Sequence, residues 1–474
     1  MFEPPPARAT STMADRISTM LAAYALATDA ERVPAVTAHE VERRVLDSIG
    51  VAVAGFDEAA PTAARRYAAG EARSAGALVW GTADRAAPET AGFANAVAVR
   101  CLDDNDTYLS REPLHPSDAI APLLALAEIE GRSGEELVAA IAVAYEVGVG
   151  LCDAASLRAH GWDHVNHLGV GIACGAARLL GLDEHATRHA IALTAVPHAA
   201  MRQTRVGELS MWKGAAAAEA GRNAVFAARL ARAGMTGPFE PFEGEMGYVR
   251  QLLGGELDVA ALEPISEGRT PEAILRTSVK RWPVEYHAQS AVDAALRLRA
   301  ELGDDPGRAI ASVRIDTFDA AYEIIAKDPE KWDPRTRETA DHSLQYIVVA
   351  ALLDGEVTTR TFDESRFRDP TVLRLLREAT EVRPDPELSA GYPEGIPNRI
   401  AVRTTDGREL VREVRFPPGH ARNPMTDDEL SAKFRGNVEG RWKPERADRV
   451  EELIGSLHSA PTVDGLITSL EPWA

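Results

Sequence analysis

Residues 101–117 contain the residue types that proton-transfer chemistry needs. Asp103, Asp104 and Asp106 lie close together, and His115 stands directly before Pro116. A carboxylate beside a histidine can orient the imidazole and stabilise the charge that the ring gains as a general acid or base. The same residues also fit an acidic turn followed by a capped helix. From these residues alone, both interpretations stay open.

The residues that follow predict a helix beside this histidine. Ser117 is a good N-cap for the apolar run 120–126, so His115 is expected at a helix N-terminus. The positive end of the helix dipole disfavours an imidazolium, which keeps the ring available as a base. An acidic cluster with a histidine also suggests a metal site, but Pro113 and the irregular spacing match no standard ligand pattern. We therefore predict no metal.

Three basic residues in other segments are candidates for binding carboxylates. Lys213 falls in the first turn of a long Ala-rich helix that Ser210 is expected to cap, and Arg202 lies just upstream. An ammonium beside free backbone N–H groups forms a carboxylate site. Lys280 stands where the sequence pattern changes, and ligand sites often lie between domains. Each of these cations can equally be a solvated surface residue.

Two histidine-containing segments are further candidates. Asp163 and His164 precede the predicted helix 170–180, where they are either an acid–base pair or part of an Asp turn. His342 and Tyr346 are four residues apart at a predicted helix start, so they share one face of that helix. A phenol and an imidazole there could bind or protonate a leaving hydroxyl, or form a hydrogen-bonded core pair. Asp341 is the expected cap of this helix.

Composition limits the classes of function that this chain can have. The 474 residues carry a net charge of −20, which argues against nucleic acid and anionic membranes as partners. A local basic pocket for an anionic substrate remains compatible with that charge. The 3 cysteines lack the spacing of a disulfide framework or an iron–sulfur site, which favours a cytoplasmic protein. No signal peptide and no membrane span are expected, and residues 1–13 are predicted to be a disordered tail.

Hydrophobic periodicity predicts a mainly α protein with a smaller α/β domain. Helical spacing dominates from residue 14 to about 270, and crowded alanines in 215–231 indicate close helix packing. Residues 311–317 alternate as a strand. The alternating runs 400–404 and 410–416, joined by Asp406-Gly407, predict a β-hairpin. We place an all-helical domain at 14–275, a smaller α/β domain at 276–419 and further helices at 426–474.

Several motifs along the chain together resemble the MmgE/PrpD family. They occur in family order over nearly the whole chain: Asp-Asp-x-Asp-Thr at 103–107 with His-Pro-Ser at 115–117, Gly-Trp-Asp-His at 161–164, Gly-Glu-Leu-Ser-Met-Trp-Lys-Gly at 207–214, Gly-Met-Thr-Gly-Pro at 234–238, Phe-Glu-Gly at 242–244, Lys-Arg-Trp-Pro at 280–283, His-Ala-Gln-Ser at 287–290, Asp-His-Ser-Leu-Gln-Tyr at 341–346 and Lys-Phe at 433–434. The resemblance implies a large helical domain, completed by 420–474, with an inserted lid-like domain. It also implies a homodimer.

The same resemblance implies a cofactor-free lyase that acts on a citrate-like di- or tricarboxylate. Loss of water from 2-methylcitrate is the leading prediction. Decarboxylation of cis-aconitate and epimerisation of an amino-dicarboxylate are alternatives on the same fold, and a non-catalytic binding protein is an alternative of another class. Decarboxylase-like members have a His at about the position of Asp163, where this sequence has Asp with His164 next to it.

The resemblance assigns roles to the candidate residues. His115 is predicted to transfer a proton, oriented by Asp103 or Asp106, with His342 and Tyr346 assisting from the smaller domain. The predicted substrate-binding residues are Thr107, Asp163, His164, Arg202, Lys213, Lys280 and His287.

Overall fold

The computed structural model describes residues 15–473. The predicted disordered tail at 1–13 lies outside the described residues. Helices dominate the fold, and a small mixed sheet lies in the second half of the chain, as the sequence predicts.

The first part of the chain folds as packed helices with one short β-hairpin. Its α-helices are α1 Arg16–Ala27, α2 Ala35–Ala54, α3 Ala59–Gly70, α4 Pro88–Arg100, α5 Ile120–Glu130, α6 Gly134–Ala154, α7 Val165–Leu179, α8 Glu184–Ala195, α9 Ala216–Arg232, α10 Tyr248–Leu252 and α11 Glu263–Ser266. The strands β1 Ala77–Leu78 and β2 Arg85–Ala86 pair antiparallel. Short 3₁₀ helices lie at Ala30–Arg32, Pro116–Ala119, Arg158–His160, Arg202–Arg205, Met211–Gly214, Val259–Leu262 and Ala273–Arg276.

Two glycines let α7 pack directly on α6. A Cβ atom at Gly171 would lie 2.5 Å from the carbonyl oxygen of Ala144, and one at Gly175 would lie 2.6 Å from that of Ala140. No larger residue fits at either place without moving a helix, because such distances are far inside van der Waals contact. This close approach fixes the N-terminal end of α7, which follows Asp163 and His164.

Helix α6 is long and apolar enough to cross a membrane by length and composition. The sequence pattern did not lead us to expect such a stretch. In the fold, 94% of the apolar window is buried, and α6 packs against α7 at the centre of the helical core. A central helix of a helical core has this composition because all its faces are covered by protein.

The second part of the chain combines helices with a four-stranded sheet. Its helices are α12 Gln289–Arg299, α13 Pro306–Ala309, α14 Asp319–Ile325, α15 Arg337–Ala340, α16 Leu344–Asp354, α17 Glu364–Phe367, α18 Pro370–Arg374 and α19 Pro386–Ser389, with 3₁₀ helices at Tyr286–Ala288, Pro329–Trp332 and Thr359–Phe362 and a π-helix at Leu375–Ala379. The strands are β3 Ile310–Thr317, β4 Thr380–Pro384, β5 Asn398–Thr404 and β6 Glu409–Val414, in the order β4-β3-β5-β6.

The sheet has the hairpin and the strand that alternation predicts. Strands β5 and β6 pair antiparallel, with Val402 opposite Leu410. Strand β3 pairs antiparallel with β5 and parallel with β4, and its residues Val313 and Ile315 are buried. These two residues join a core formed by the second part of the chain, in which α16 is also buried.

The last helices return to the first part of the chain. They are α20 Asp427–Val438, α21 Pro444–Ile454 and α22 Asp464–Ser469, with a 3₁₀ helix at Leu457–Ser459. Phe434, Trp442 and Trp473 share a hydrophobic core with Val45 and Ile49 of α2. The limits of 275/276 and 419/420 between the domains stay predictions.

Three predicted helix caps are wrong. Ser117 lies inside the 3₁₀ helix Pro116–Ala119, and its hydroxyl instead accepts from the Asn105 side-chain amide at 3.0 Å. Ser210 caps the short 3₁₀ helix Met211–Gly214, and α9 starts only at Ala216. Ser343 caps α16 in place of Asp341, whose carboxylate is occupied by the His342 ring. For Ser117 and Asp341, another side chain occupies the oxygen that was expected to cap the helix.

Candidate active site

A cavity of about 390 Å³ collects side chains from both parts of the chain. This volume lies within the range of small-molecule sites. Its basic lining residues are Arg100, Arg158, Arg202, Arg205, Lys213, Lys327 and Lys331, and its acidic ones are Asp103, Glu285, Glu323 and Asp328. The histidines that line it are His115, His164, His287 and His342. In a chain of net charge −20, this cavity has more basic than acidic side chains.

The Asp103 carboxylate is surrounded by basic side chains. Its carboxylate accepts from Arg100 and lies 3.0 Å from the Lys280 Nζ and 3.5 Å from the Lys213 Nζ. The His342 Nε2 is 3.6 Å away. Burial alone would raise the pKa of Asp103, but these cations outweigh burial and hold it well below its usual range. The backbone of Asp103 is left-handed (φ 54°), a conformation that Asp tolerates better than most residues.

His115 presents one free ring nitrogen. Its Nδ1 lies 2.7 Å from the backbone carbonyl of Asp106, which can only accept, so Nδ1 carries the proton. The Nε2 lone pair is therefore unused on a ring that lines the cavity. Burial, followed by the nearby Arg100 and Lys280, lowers the pKa of His115 well below its usual value. The ring is neutral, as expected from sequence, but burial is the largest cause and not the helix dipole.

His164 lies against His115, with ring centroids 5.7 Å apart in an edge-on arrangement. Its Nδ1 is 3.2 Å from the Asp163 carboxylate, and its buried Nε2 has no hydrogen-bond partner. Burial lowers the pKa of His164 to about 3. Asp163 does not line the cavity and instead accepts from the Arg205 Nε at 3.0 Å. Arg205 also donates to the backbone carbonyl of Lys213 at 3.0 Å, which ties the two segments together.

Lys213 brings a buried ammonium to the cavity, and its only ionic neighbour within 4 Å among the described residues is Asp103. The residue is 3% exposed, and its Nζ makes no hydrogen bond. Burial lowers the pKa of Lys213 to about 8, although the Asp103 carboxylate opposes the change. Arg202 and Thr107 also line the cavity, and the Thr107 hydroxyl donates to the Leu114 carbonyl at 3.2 Å. The arrangement offers positive charge to an anion that enters.

His287 and Glu285 form a pair that the second part of the chain brings to the cavity. The His287 Nδ1 lies 2.7 Å from one carboxylate oxygen of Glu285, and the His287 backbone N–H donates to the other at 2.8 Å. The buried His287 Nε2 has no partner. Burial alone would raise the pKa of Glu285, but His287 outweighs it and holds the value at about 2.

His342 stands between two carboxylates. Its Nδ1 is hydrogen-bonded to Asp341, and its Nε2 faces Asp103. Burial raises the pKa of Asp341 to about 7 and lowers that of His342 well below its usual value.

Tyr346 does not line the cavity. Its hydroxyl donates to the Thr361 carbonyl inside the second core. Because α16 begins at Leu344 with Ser343 as its cap, His342 lies outside the helix and shares no helix face with Tyr346.

Two further predicted residues lie behind the cavity wall. The Asp106 carboxylate accepts from the Ser117 backbone N–H and from the Tyr145 hydroxyl at 2.7 Å, so it positions His115 only through its own backbone carbonyl. Lys280 is fully buried and donates to the Asp103 carbonyl at 2.6 Å. Neither side chain lines the cavity. Both hold the turn that carries Asp103 and His115.

Several cavity residues escaped the sequence analysis. They are Arg100, Arg158, Glu285, Lys327 and Lys331. Arg100 and Glu285 had local signals, since one lies three residues before Asp103 and the other two residues before His287. Lys327 and Lys331 had none, because only the fold brings the segment after α14 to the cavity.

Within residues 15–473, no group of three or more His, Cys, Asp or Glu side chains is arranged to hold a metal ion.

Comparison with known proteins shows the family of this chain. Residues 19–260 match the MmgE/PrpD N-terminal domain, and residues 282–459 match the MmgE/PrpD C-terminal domain. The chain belongs to the MmgE/PrpD family.

Its relatives include proteins with two different activities in their names. It is 30% identical to 2-methylcitrate dehydratase of Cupriavidus necator over 409 residues, covering 81% of this chain and 82% of the relative. It is 28% identical to cis-aconitate decarboxylase of Homo sapiens over 450 residues, covering 91% and 89%. A third relative is the mitochondrial 2-methylcitrate dehydratase of Yarrowia lipolytica, at 29% identity over 400 residues, covering 79% and 75%. Because one relative is mitochondrial, a cytoplasmic location stays a prediction.

Proposed function

We propose that this protein is a lyase that removes water from a citrate-like tricarboxylate, with 2-methylcitrate as the leading substrate. The observation that carries the proposal is the cavity itself, which is lined both by His115, whose Nε2 is free, and by Lys213, whose buried ammonium makes no hydrogen bond. Family membership and the names of the relatives support the same reaction class.

The charge of the cavity supports a substrate with several carboxylates. Lys213 and Arg202 are placed to bind them, and Arg205 and Lys331 add positive charge to the lining. An ammonium that has given up most of its hydration gains much by meeting an anion in a low-dielectric site. The same cations can stabilise the charge that develops on a carboxylate when a neighbouring proton leaves.

The reaction balances with the groups on this chain. The His115 Nε2 takes the proton from the carbon next to a carboxylate, and the C–H electron pair becomes the new C=C bond. The C–O bond to the adjacent carbon breaks, and its electron pair leaves with the hydroxyl oxygen. That oxygen takes a proton from a donor in the cavity and departs as water. Solvent then carries the proton from His115 back to the donor.

Substrate binding is expected to improve His115 as a base. In the free protein burial is the largest cause of its lowered pKa, and Arg100 and Lys280 lower it further because another positive charge beside them is unfavourable. A bound tricarboxylate brings negative charge to the same place and offsets those cations. The base is thus weak when the cavity is empty and stronger when substrate is present.

One experiment separates this proposal from its alternatives. Purified protein is given 2-methylcitrate, citrate, cis-aconitate and an optically pure amino-dicarboxylate, while unsaturated acid, carbon dioxide and optical rotation are followed. Unsaturated acid without gas supports the dehydratase. Gas from cis-aconitate would instead make the protein a decarboxylase, and racemised amino-dicarboxylate an epimerase. Calorimetric binding of these acids without turnover would indicate a binding protein.

His115→Ala is the matched test of the mechanism. We expect kcat to fall by roughly 10²-fold or more, the usual scale for loss of general acid–base catalysis, with little change in melting temperature. His185→Ala is the control, because that histidine is exposed on α8 outside the cavity lining. A large loss of stability with a small loss of rate would make His115 a structural residue.

We also propose a homodimer, on the basis of the family resemblance. Sedimentation at several protein concentrations tests this assembly, and a single species of 51 kDa would contradict it.

A further inference from the structure

The elimination needs a proton donor for the departing hydroxyl, and the second part of the chain offers one. We propose that Glu285 is a positioning residue that holds His287 as this donor, while His115 acts as the base. This inference rests on the proposed dehydration.

The geometry of the pair is the first argument. Glu285 contacts His287 twice, at 2.7 Å through the ring Nδ1 and at 2.8 Å through the backbone N–H. Two contacts from one carboxylate fix both the position of the residue and the plane of its ring. The Nδ1 proton points to Glu285, so the ring can exchange a proton with a ligand only at Nε2.

The surroundings of the free nitrogen are the second argument. The His287 Nε2 is buried and has no hydrogen-bond partner, on a residue that is 4% exposed and lines the cavity. Phe318 and Tyr392 flank the ring, with centroids 5.4 and 5.6 Å away. These two aromatic rings pack against the imidazole, and neither residue gives Nε2 a hydrogen bond. A buried polar atom without a partner costs free energy, which a substrate hydroxyl would recover.

The contrast with His115 is the third argument. His115 has a neutral carbonyl behind its Nδ1, whereas His287 has an ionised carboxylate in the same position. A carboxylate there stabilises the positive charge of an imidazolium, and a carbonyl does so far less. The two rings are therefore suited to opposite tasks: His115 begins the cycle neutral and takes a proton, and His287 carries a proton and gives it away.

Other titratable groups also interact electrostatically with Glu285. They are His342, Asp103, Lys331 and Tyr392. In the step itself, the Nε2–H bond of His287 breaks and its proton goes to the leaving oxygen. His287 becomes neutral while the Glu285 carboxylate remains ionised.

A substrate whose leaving group needs no proton tests this role. The probe is the analogue of 2-methylcitrate with fluorine in place of the hydroxyl, since fluoride departs as an anion. We expect Glu285→Gln to lower kcat by roughly 10²-fold with the hydroxyl substrate, but by less than about 10-fold with the fluoro analogue. His115→Ala should lower both, because proton removal from carbon is common to the two reactions.

A double-mutant cycle and a binding assay complete the test. If Glu285 acts through His287, the pair Glu285→Gln/His287→Ala is no slower than His287→Ala alone. Calorimetry with tricarballylate, a tricarboxylate without a leaving hydroxyl, should give Kd values within about threefold for parent and Glu285→Gln. Glu330→Gln is the control, because Glu330 is exposed and outside the cavity lining.

The outcomes separate this inference from the function on which it rests. A parent protein that releases neither water nor fluoride overturns both. A parent that dehydrates 2-methylcitrate, with Glu285→Gln equally slow on both substrates or additive with His287→Ala, keeps the function and overturns the role of Glu285.

Discussion

Lys213 is the residue at which function and stability are expected to oppose each other most clearly. Its ammonium is buried, makes no hydrogen bond and lies 3.5 Å from Asp103. Asp103 has other cationic partners in Arg100 and Lys280, so it does not depend on this lysine for neutralisation. We predict that Lys213→Met abolishes turnover and makes the protein more stable at neutral pH.

The magnitude follows from the protonation of Lys213. Its pKa falls from 10.5 to about 8 on folding, mainly because burial disfavours the charge. At about 1.4 kcal/mol for each pH unit, this drop corresponds to a cost of roughly 3 kcal/mol when the lysine is charged. Methionine has a similar shape and no charge, so the substitution removes this net cost, in which the attraction to Asp103 is already counted. A net gain of about 1–3 kcal/mol is expected.

The gain must depend on pH in a defined direction. Below pH 8 the lysine is charged in both the folded and the unfolded chain, and the full cost is present. Between pH 8 and 10.5 the unfolded chain binds more protons than the folded one, so the stability of the parent rises with pH. The advantage of Lys213→Met should therefore be largest near pH 7 and shrink as pH approaches 10.

Thermal unfolding of both proteins at pH 7 and pH 9.5 measures this difference. We expect Lys213→Met to melt a few degrees higher at pH 7, with a smaller difference at pH 9.5. Lys443→Met, at an exposed lysine, is the control and should change neither melting nor turnover. A lower melting temperature for Lys213→Met at pH 7 would refute the reasoning and make Lys213 a structural partner of Asp103.

Three other predictions follow from the contacts. Tyr346→Phe should leave kcat within about twofold, since its hydroxyl bonds to the Thr361 carbonyl inside the core; a 10²-fold loss in steady-state turnover would return it to the site. Asp106→Asn should destabilise the protein by about 3–5 kcal/mol, because its buried carboxylate serves Ser117, Tyr145 and Arg44; an unchanged denaturation midpoint would contradict this. Turnover should survive dialysis against EDTA, and loss of activity that added metal restores would overturn the cofactor-free mechanism.

The sequence predicted the cavity's principal polar residues because they stand at helix ends and in loops. His115, Lys213, His287 and His342 come from segments that periodicity marks as breaks between regular elements. Such segments are where a fold can bring polar groups from different elements together without burying them in a core. The structure places all four on one cavity. Their chemical roles stay proposals.

The sequence could not separate side chains in front of the cavity from those behind it. The spacing of His342 and Tyr346 predicts a shared helix face, but α16 begins only at Leu344, so His342 lies before the helix and Tyr346 points into the core. Asp103 and Asp106 are three residues apart, yet the left-handed backbone at Asp103 sends their carboxylates to different partners. The contacts around Asp103 impose this left-handed conformation, and the sequence gives no sign of it because the residue is not a glycine.

A crystal structure with bound tricarballylate tests the central claim most directly. The claim predicts the ligand in the cavity of about 390 Å³, with carboxylates bonded to Lys213 and Arg202 and its central carbons facing the Nε2 atoms of His115 and His287. A larger cavity of about 1260 Å³, lined in part by Lys433 and Arg281, offers an alternative position. Tricarballylate bound there, with the first cavity empty, would contradict the account.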